Sequence, residues 1–179
     1  MSLITHNELI ELVEQDVITN VAFRQINAAS IDVTLGDVLW LESEHGYLVD
    51  LADKHAPNLF RAEVGNGFAL APGEFVLAQT QQVFNLPNDI AAEFRLKSSG
   101  ARSGLDQALA VWCDPGWHGS VLTLELRNNL RHHSLLLRTG MPIGQMVFWR
   151  GESVSESASY ATKGRYNGDC EAQPSRGAR

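Results

Sequence analysis

Cysteine is nearly absent. The 179 residues hold two, Cys113 and Cys170. That leaves no basis for a disulfide framework or for a zinc site built on paired cysteines. Positive charge is scarce too: 14 Lys and Arg stand against 21 Asp and Glu, a formal charge of −7. A nucleic-acid groove needs a basic face, so no nucleic-acid partner is expected. A small anion still fits, because a few local cations can hold it inside an acidic chain. No window approaches the roughly 18 uninterrupted apolar residues of a membrane span, so no membrane partner is expected either. Met1 to His6 has neither the cationic start nor the apolar core of a secretory signal, which makes the cytoplasm the expected compartment. The six histidines show no ligand spacing, and the adjacent His132 and His133 would point to opposite faces of a strand. No internal repeat and no βαβ rhythm is visible.

What is present suits one soluble globular domain with a real core. Thr5-His6-Asn7-Glu8 fits a capping box and predicts a short helix over about residues 6–15, with Leu9, Ile10, Leu12 and Val13 as its apolar stripe. The pattern then changes to short β-like runs. They cover residues 31–40, 75–83, 91–96, 109–113, 121–127, 134–137 and 143–149, with turn signals such as Pro72-Gly73, Pro115-Gly116 and Asn128-Asn129 between them. Many short strands at near-regular spacing argue for an antiparallel sandwich or barrel. From about Gly151 apolar periodicity is lost. The expected division is a β domain over residues 1–150 and a flexible tail over 151–179, either frayed or acting as a lid over a ligand.

Three clusters carry candidate chemistry. In Val121 to Arg127 the side chains alternate, so Leu122, Leu124 and Leu126 should enter the core while Glu125 projects away from it. Such a face is commonly just solvated. Lys97-Ser98-Ser99-Gly100-Ala101-Arg102 offers hydroxyls, a glycine and two cations, a composition that serves either as an ordinary polar loop or as an anion cradle. Asp114-Pro115-Gly116-Trp117 is first a turn, whose aspartate could also accept a sugar hydroxyl. Asp32 reads as structural.

In order, these pieces resemble the deoxycytidine triphosphate (dCTP) deaminase family of the deoxyuridine triphosphatase-like superfamily. Five stretches carry the resemblance: Ser30 to Gly36, Leu70 to Glu74, Lys97 to Leu105, Asp114 through Asn128, and Gly140 to Gln145. The resemblance implies a mainly β fold, a distorted antiparallel β-barrel or jelly-roll with a short N-terminal helix. It also implies a homotrimer with active sites between subunits. The implied reaction is dCTP plus water to dUTP plus ammonia, without zinc, and in some members also dUTP to dUMP and pyrophosphate. Ala110-Val111-Trp112-Cys113-Asp114 is closer to those bifunctional members.

By the same resemblance, Glu125 is the general base and then the acid, Ser98 and Arg102 hold the water and orient the glutamate, and Lys97, Ser98 and Ser99 form the phosphate cradle. Asp114 meets the 3′-hydroxyl, the backbone of Ala110, Val111, Trp112 and Cys113 reads the base, and Tyr160, Arg165 and Tyr166 close over the triphosphate. Mg²⁺ arrives on the phosphates rather than in a protein cage. A base working near neutral pH needs its pKa raised by burial. The chain departs from the family in places. The stretch before Asp114 is one residue short and the stretch after it one residue long, which predicts a compensating bulge. The catalytic reading requires Glu125 to face Ser98 and Arg102. Asp169 stands where the family has a glutamine near phosphate, and Ala108 to Val111 replace a polar segment. Three alternatives stay open: a nucleotide pyrophosphatase alone, a deaminase of a modified dCTP, and a non-catalytic nucleotide-binding regulatory protein.

Overall fold

Short alternating runs pair here as antiparallel ladders throughout the described strands. The structure is a computed structural model and describes residues 1–53, 56–108 and 110–177. In chain order the strands are β1 (Ser2–Leu3), β2 (Ile18–Thr19), β3 (Ile31–Thr34), β4 (Val38–Glu42), β5 (Leu59–Glu63), β6 (Phe68–Leu70) and β7 (Phe75–Asn85). They continue with β8 (Ile90–Leu96), β9 (Leu105–Gln107), β10 (Trp112–Cys113), β11 (His118–Asn128), β12 (Leu135–Leu137) and β13 (Pro142–Arg150). Three short helices accompany them: α1 (His6–Glu14), α2 (Ser98–Arg102) and α3 (Tyr160–Lys163). Among the described residues, no helix is long and apolar enough to cross a membrane.

One sheet runs β1-β13-β8-β10, with β3 also on β13; a second runs β5-β4-β7-β11-β9, with β2 also on β7; β12 and β6 form a ribbon. Inner faces of both sheets share one core. Val76, Leu124 and Leu126 of the second sheet join Phe94, Met146 and Phe148 of the first. Leu124 is fully buried, and truncating such a leucine typically costs about 2–5 kcal/mol. This is the mainly β, antiparallel, jelly-roll-like arrangement expected, with the helix at its start.

Several local readings differ. α1 ends at Glu14, and the capping box does not form: Thr5 makes no side-chain cap bond. Glu8 instead pairs with Arg150 across to β13 at 2.7 Å, and a carboxylate held there cannot reach back to the helix start. The run 31–40 breaks at Gly36 into β3 and β4. The Gly36 N–H donates to the Gln79 carbonyl at 2.8 Å, and a Cβ at Gly36 would stand 2.6 Å from the Gln79 side chain. The expected strand 109–113 is reduced to β10, with Leu109 outside the described residues.

The pairing of β11 with β7 is irregular twice, between His118 and Ser120 and between Val121 and Thr123. At the first, β11 carries an extra residue, Gly119, whose φ of +66° suits glycine and whose N–H donates to Asn85 Oδ1 at 3.0 Å. This is the bulge that the surplus residue after Asp114 predicts. At the second, the extra residues lie on β7, between Val83 and Gln79; from Thr123 onward the ladder is regular, with Leu124 opposite Ala78 and Glu125 opposite Leu77.

Candidate active site

The outer face of β11 does not meet solvent freely. β10, the Asp114 turn and the C-terminal segment enclose a cavity of about 510 Å³ over it, and Glu125 lines that cavity. The Glu125 carboxylate is partly buried, and burial pushes it above the ordinary carboxylate range. A hydrogen bond from Gln107 and one from its own backbone act in the opposite direction. Gln107 Nε2 donates to Glu125 Oε2 at 2.5 Å, and the Glu125 carbonyl accepts from Ala108 N–H at 3.0 Å.

Apolar and polar groups share the cavity wall. Ala110, Trp112 and Asp114 line it beside Glu125. Asp114 is exposed, and its Oδ1 accepts from Trp112 Nε1 at 3.0 Å. Val111 lies on the other side of that strand, and its carbonyl accepts from Phe94 N–H at 3.0 Å. Cys113 is buried on the wall, and its thiol is pushed up to about 12 by burial and by the neighbouring Asp114 and Glu125 charges. Such a thiol is inert as a nucleophile.

The C-terminal segment closes the remaining side and is pinned at two buried points. At the first, fully buried Ser159 donates to Asn88 Oδ1 at 2.6 Å and accepts from Ala161 N–H, capping α3. At the second, fully buried Ala172 accepts from Trp40 Nε1 at 2.8 Å and donates to Gln79 Oε1 at 2.8 Å. Between the pins, Tyr160, Tyr166 and Asp169 line the cavity. Burial raises the Tyr160 hydroxyl above its ordinary value. The Tyr166 carbonyl accepts from Trp117 Nε1 at 2.7 Å, and the Trp117 ring stacks on Phe84 at 5.3 Å. Asp169 Oδ1 pairs with Arg176 at 2.5 Å, while its Oδ2 is buried without a partner. Arg165 does not line this cavity. It donates to the carbonyls of Arg176 and Gly177, each at 2.6 Å, and borders a neighbouring pocket with Asp114 and Tyr160.

Apart from Val111 and Arg165, which border neighbouring pockets, the predicted residues thus fall into two groups. Glu125, Asp114, Ala110, Trp112, Tyr160 and Tyr166 meet at one cavity. Lys97, Ser98, Ser99 and Arg102 do not line it. Ser98, Ser99 and Arg102 are exposed on the single turn of α2, and Lys97 is tied to Asp32 at 2.6 Å, with Asn27 holding the other Asp32 oxygen at 2.9 Å. One protomer therefore does not set Glu125 facing Ser98 and Arg102. Among the described residues, no group of three or more His, Cys, Asp or Glu could hold a metal ion. The sequence reading missed Gln107 and the pins at Trp40 and Gln79. Each acts through a contact distant in sequence.

Known proteins resemble this chain along most of its length. A family model described as dCTP deaminase-like matches residues 3–151. The dCTP deaminase, dUMP-forming, of Methanosphaerula palustris is 33% identical over 153 residues, which covers 84% of this chain and 81% of that protein. The protein of the same name from Leifsonia xyli subsp. xyli is 41% identical over 152 residues, covering 80% of this chain and 73% of that protein. Among solved structures, the 2′-deoxycytidine 5′-triphosphate deaminase of Agrobacterium tumefaciens aligns with a TM-score of 0.66 at 19% identity. That alignment spans 87% of this chain and 50% of the other, and the likeness is one of fold.

Proposed function

Because the chain belongs to the dCTP deaminase-like family, we propose that it hydrolyses dCTP to dUTP and ammonia and carries the product on to dUMP and pyrophosphate. The observation that carries this reading is Glu125, a carboxylate raised by burial on the wall of a partly enclosed cavity. A raised carboxylate is matched to moving protons near neutral pH. In the first step Glu125 takes a proton from water as the oxygen attacks C4 of cytosine, and passes it to the ring nitrogen. As the new C4 hydroxyl gives up its proton and the amino group gains one, collapse of the tetrahedral centre expels ammonia and leaves uracil. In the second step a water opens the bond between the α- and β-phosphates of dUTP. The names of the relatives, which end on dUMP, favour both steps over deamination alone.

Asp114 takes the deoxyribose 3′-hydroxyl, and Trp112 bonds and orients Asp114. Tyr160 and Tyr166 cover the nucleotide from the tail. Lys97, Ser98, Ser99 and Arg102 hold phosphates and water from a neighbouring copy in a homotrimer. The exposure of Ser98, Ser99 and Arg102 on α2, away from their own protomer's cavity, supports that assignment. Mg²⁺ enters as part of the substrate, bound to the triphosphate.

The test is product analysis after incubation with dCTP or dUTP and Mg²⁺. Ammonia with dUMP and pyrophosphate is the expected result. Ammonia with accumulating dUTP would remove the second step. Pyrophosphate from dUTP without any ammonia from dCTP would leave a pyrophosphatase alone. Nucleotide binding with no turnover would overturn the enzyme reading in favour of a regulatory one.

A further inference from the structure

We propose that Gln107 is the positioning residue for Glu125: its amide nitrogen occupies Oε2 and thereby leaves Oε1 as the oxygen that exchanges protons with water and the pyrimidine ring. This rests on the reading of Glu125 as the base. Gln107 is buried, at 7% exposure, on the three-residue strand β9, where it stands opposite Leu126 in the ladder. Its Nε2 donates to Glu125 Oε2 at 2.5 Å and to the Ala108 carbonyl at 3.1 Å. Since Ala108 N–H also donates to the Glu125 carbonyl at 3.0 Å, residues 107 and 108 grip Glu125 by backbone and side chain together. No other side chain among the described residues bonds the Glu125 carboxylate.

While Glu125 is ionised the amide can face it in one sense only, because a carboxylate accepts and the Gln107 oxygen cannot donate. That oxygen, Oε1, is buried without a partner. The hydrogen bond favours the charged carboxylate and opposes the effect of burial. Gln107 therefore keeps the base ionised to lower pH than its cavity alone would allow.

The other charged and titratable groups around Glu125 do not substitute for it. β10 and its turn contribute Cys113 and Asp114, both of which would raise the carboxylate if ionised. Asp169 of the tail is paired with Arg176, and Tyr160 and Tyr166 line the same wall. Asp106 on β9 accepts from Gln107 N–H and Asn129, Arg127 lies exposed further along β11, and the facing β7 residues Phe75 and Leu77 are uncharged.

The test compares Gln107→Met, which keeps the shape and loses the donor, with Gln107→Glu, which sets a second carboxylate against the first. The acid limb of the kcat profile should move to higher pH in Gln107→Met and further in Gln107→Glu. At the acid end kcat should fall roughly tenfold, the worth of one charge-assisted hydrogen bond, with KM held within about twofold. The Glu125 side-chain carbon resonance, followed by NMR across the same pH range, should titrate upward in step. An unmoved acid limb and an unmoved Glu125 titration in folded Gln107→Met overturn the proposal while Glu125→Gln stays inactive. Normal turnover by Glu125→Gln instead overturns the base reading itself. If neither Gln107 variant folds, the wild-type Gln107 amide proton shift decides. It must change with the Glu125 titration, and a flat response overturns the proposal.

Discussion

Glu125 stands where two demands oppose each other. Its strand places it on the outer face of β11, and the tail then covers it, so the carboxylate loses water without gaining a cation. Burial makes the folded chain hold the Glu125 proton more tightly than the unfolded chain does. The stability from this site is fully present below the ordinary carboxylate range. It is lost as pH rises through the raised value. Glu125→Gln keeps an acceptor for Gln107 and removes the charge. That variant is expected to lose deamination by about 10²–10⁴-fold, the usual worth of acid–base catalysis. It is also expected to melt above wild type at neutral pH, with the two curves converging in acid; thermal melts across that range check it. Equal melting temperatures throughout would mean that Glu125 is not desolvated in solution. Alternation alone put Glu125 on the correct face. Its burial was not legible, because the cover comes from residues 35 and more positions downstream. Nor was Gln107, whose pairing joins β9 to β11 across a turn with no periodic signal of its own.

At the scale of elements, the tail behaves as a strap held at both ends. Gly116 sits under the first pin with φ +86°, and a Cβ there would collide with Ser159 Oγ. Gly116→Ala combines a strained backbone with that collision and is expected to cost about 1–3 kcal/mol. The melting temperature should fall, and limited proteolysis should cut first in the tail. Trp40→Phe acts at the second pin and leaves the buried Ala172 carbonyl without its donor, a loss of roughly 1–3 kcal/mol. If the strap also holds the substrate, as proposed, KM should rise more than kcat falls; steady-state kinetics on dCTP separates the two. The strands that alternate clearly, β7, β8, β11 and β13, were legible within a few residues. β5 and β9 were not. Each owes its extended form to a partner strand, β4 and β11, rather than to its own residues. The capping box misled for a related reason. Arg150, far away in sequence, offers Glu8 a full ion pair in place of one backbone N–H.

At the scale of the whole molecule, the residues that the proposed function needs lie in two separate places on one protomer. The cavity has the Glu125 and Asp114 carboxylates under the tail; α2 has two hydroxyls and two nearby cations on an exposed turn. On the proposed reading, a closed ring of identical copies would join the α2 of one to the cavity of the next, so that each interface completes one site. This arrangement is testable without a structure of the assembly. Glu125→Gln and Arg102→Ala should each be inactive alone. Unfolded together in equal amounts and refolded, they should form mixed rings. A site works when its cavity comes from the Arg102 variant and its α2 from the Glu125 variant. Random assembly gives that pairing at about one quarter of interfaces, so activity near a quarter of wild type is expected. A site confined to one protomer gives none at any mixing ratio, because every chain then carries a defect in its own site. Recovery should also track the formation of mixed rings, so two variants mixed after folding, without exchange of subunits, should stay inactive.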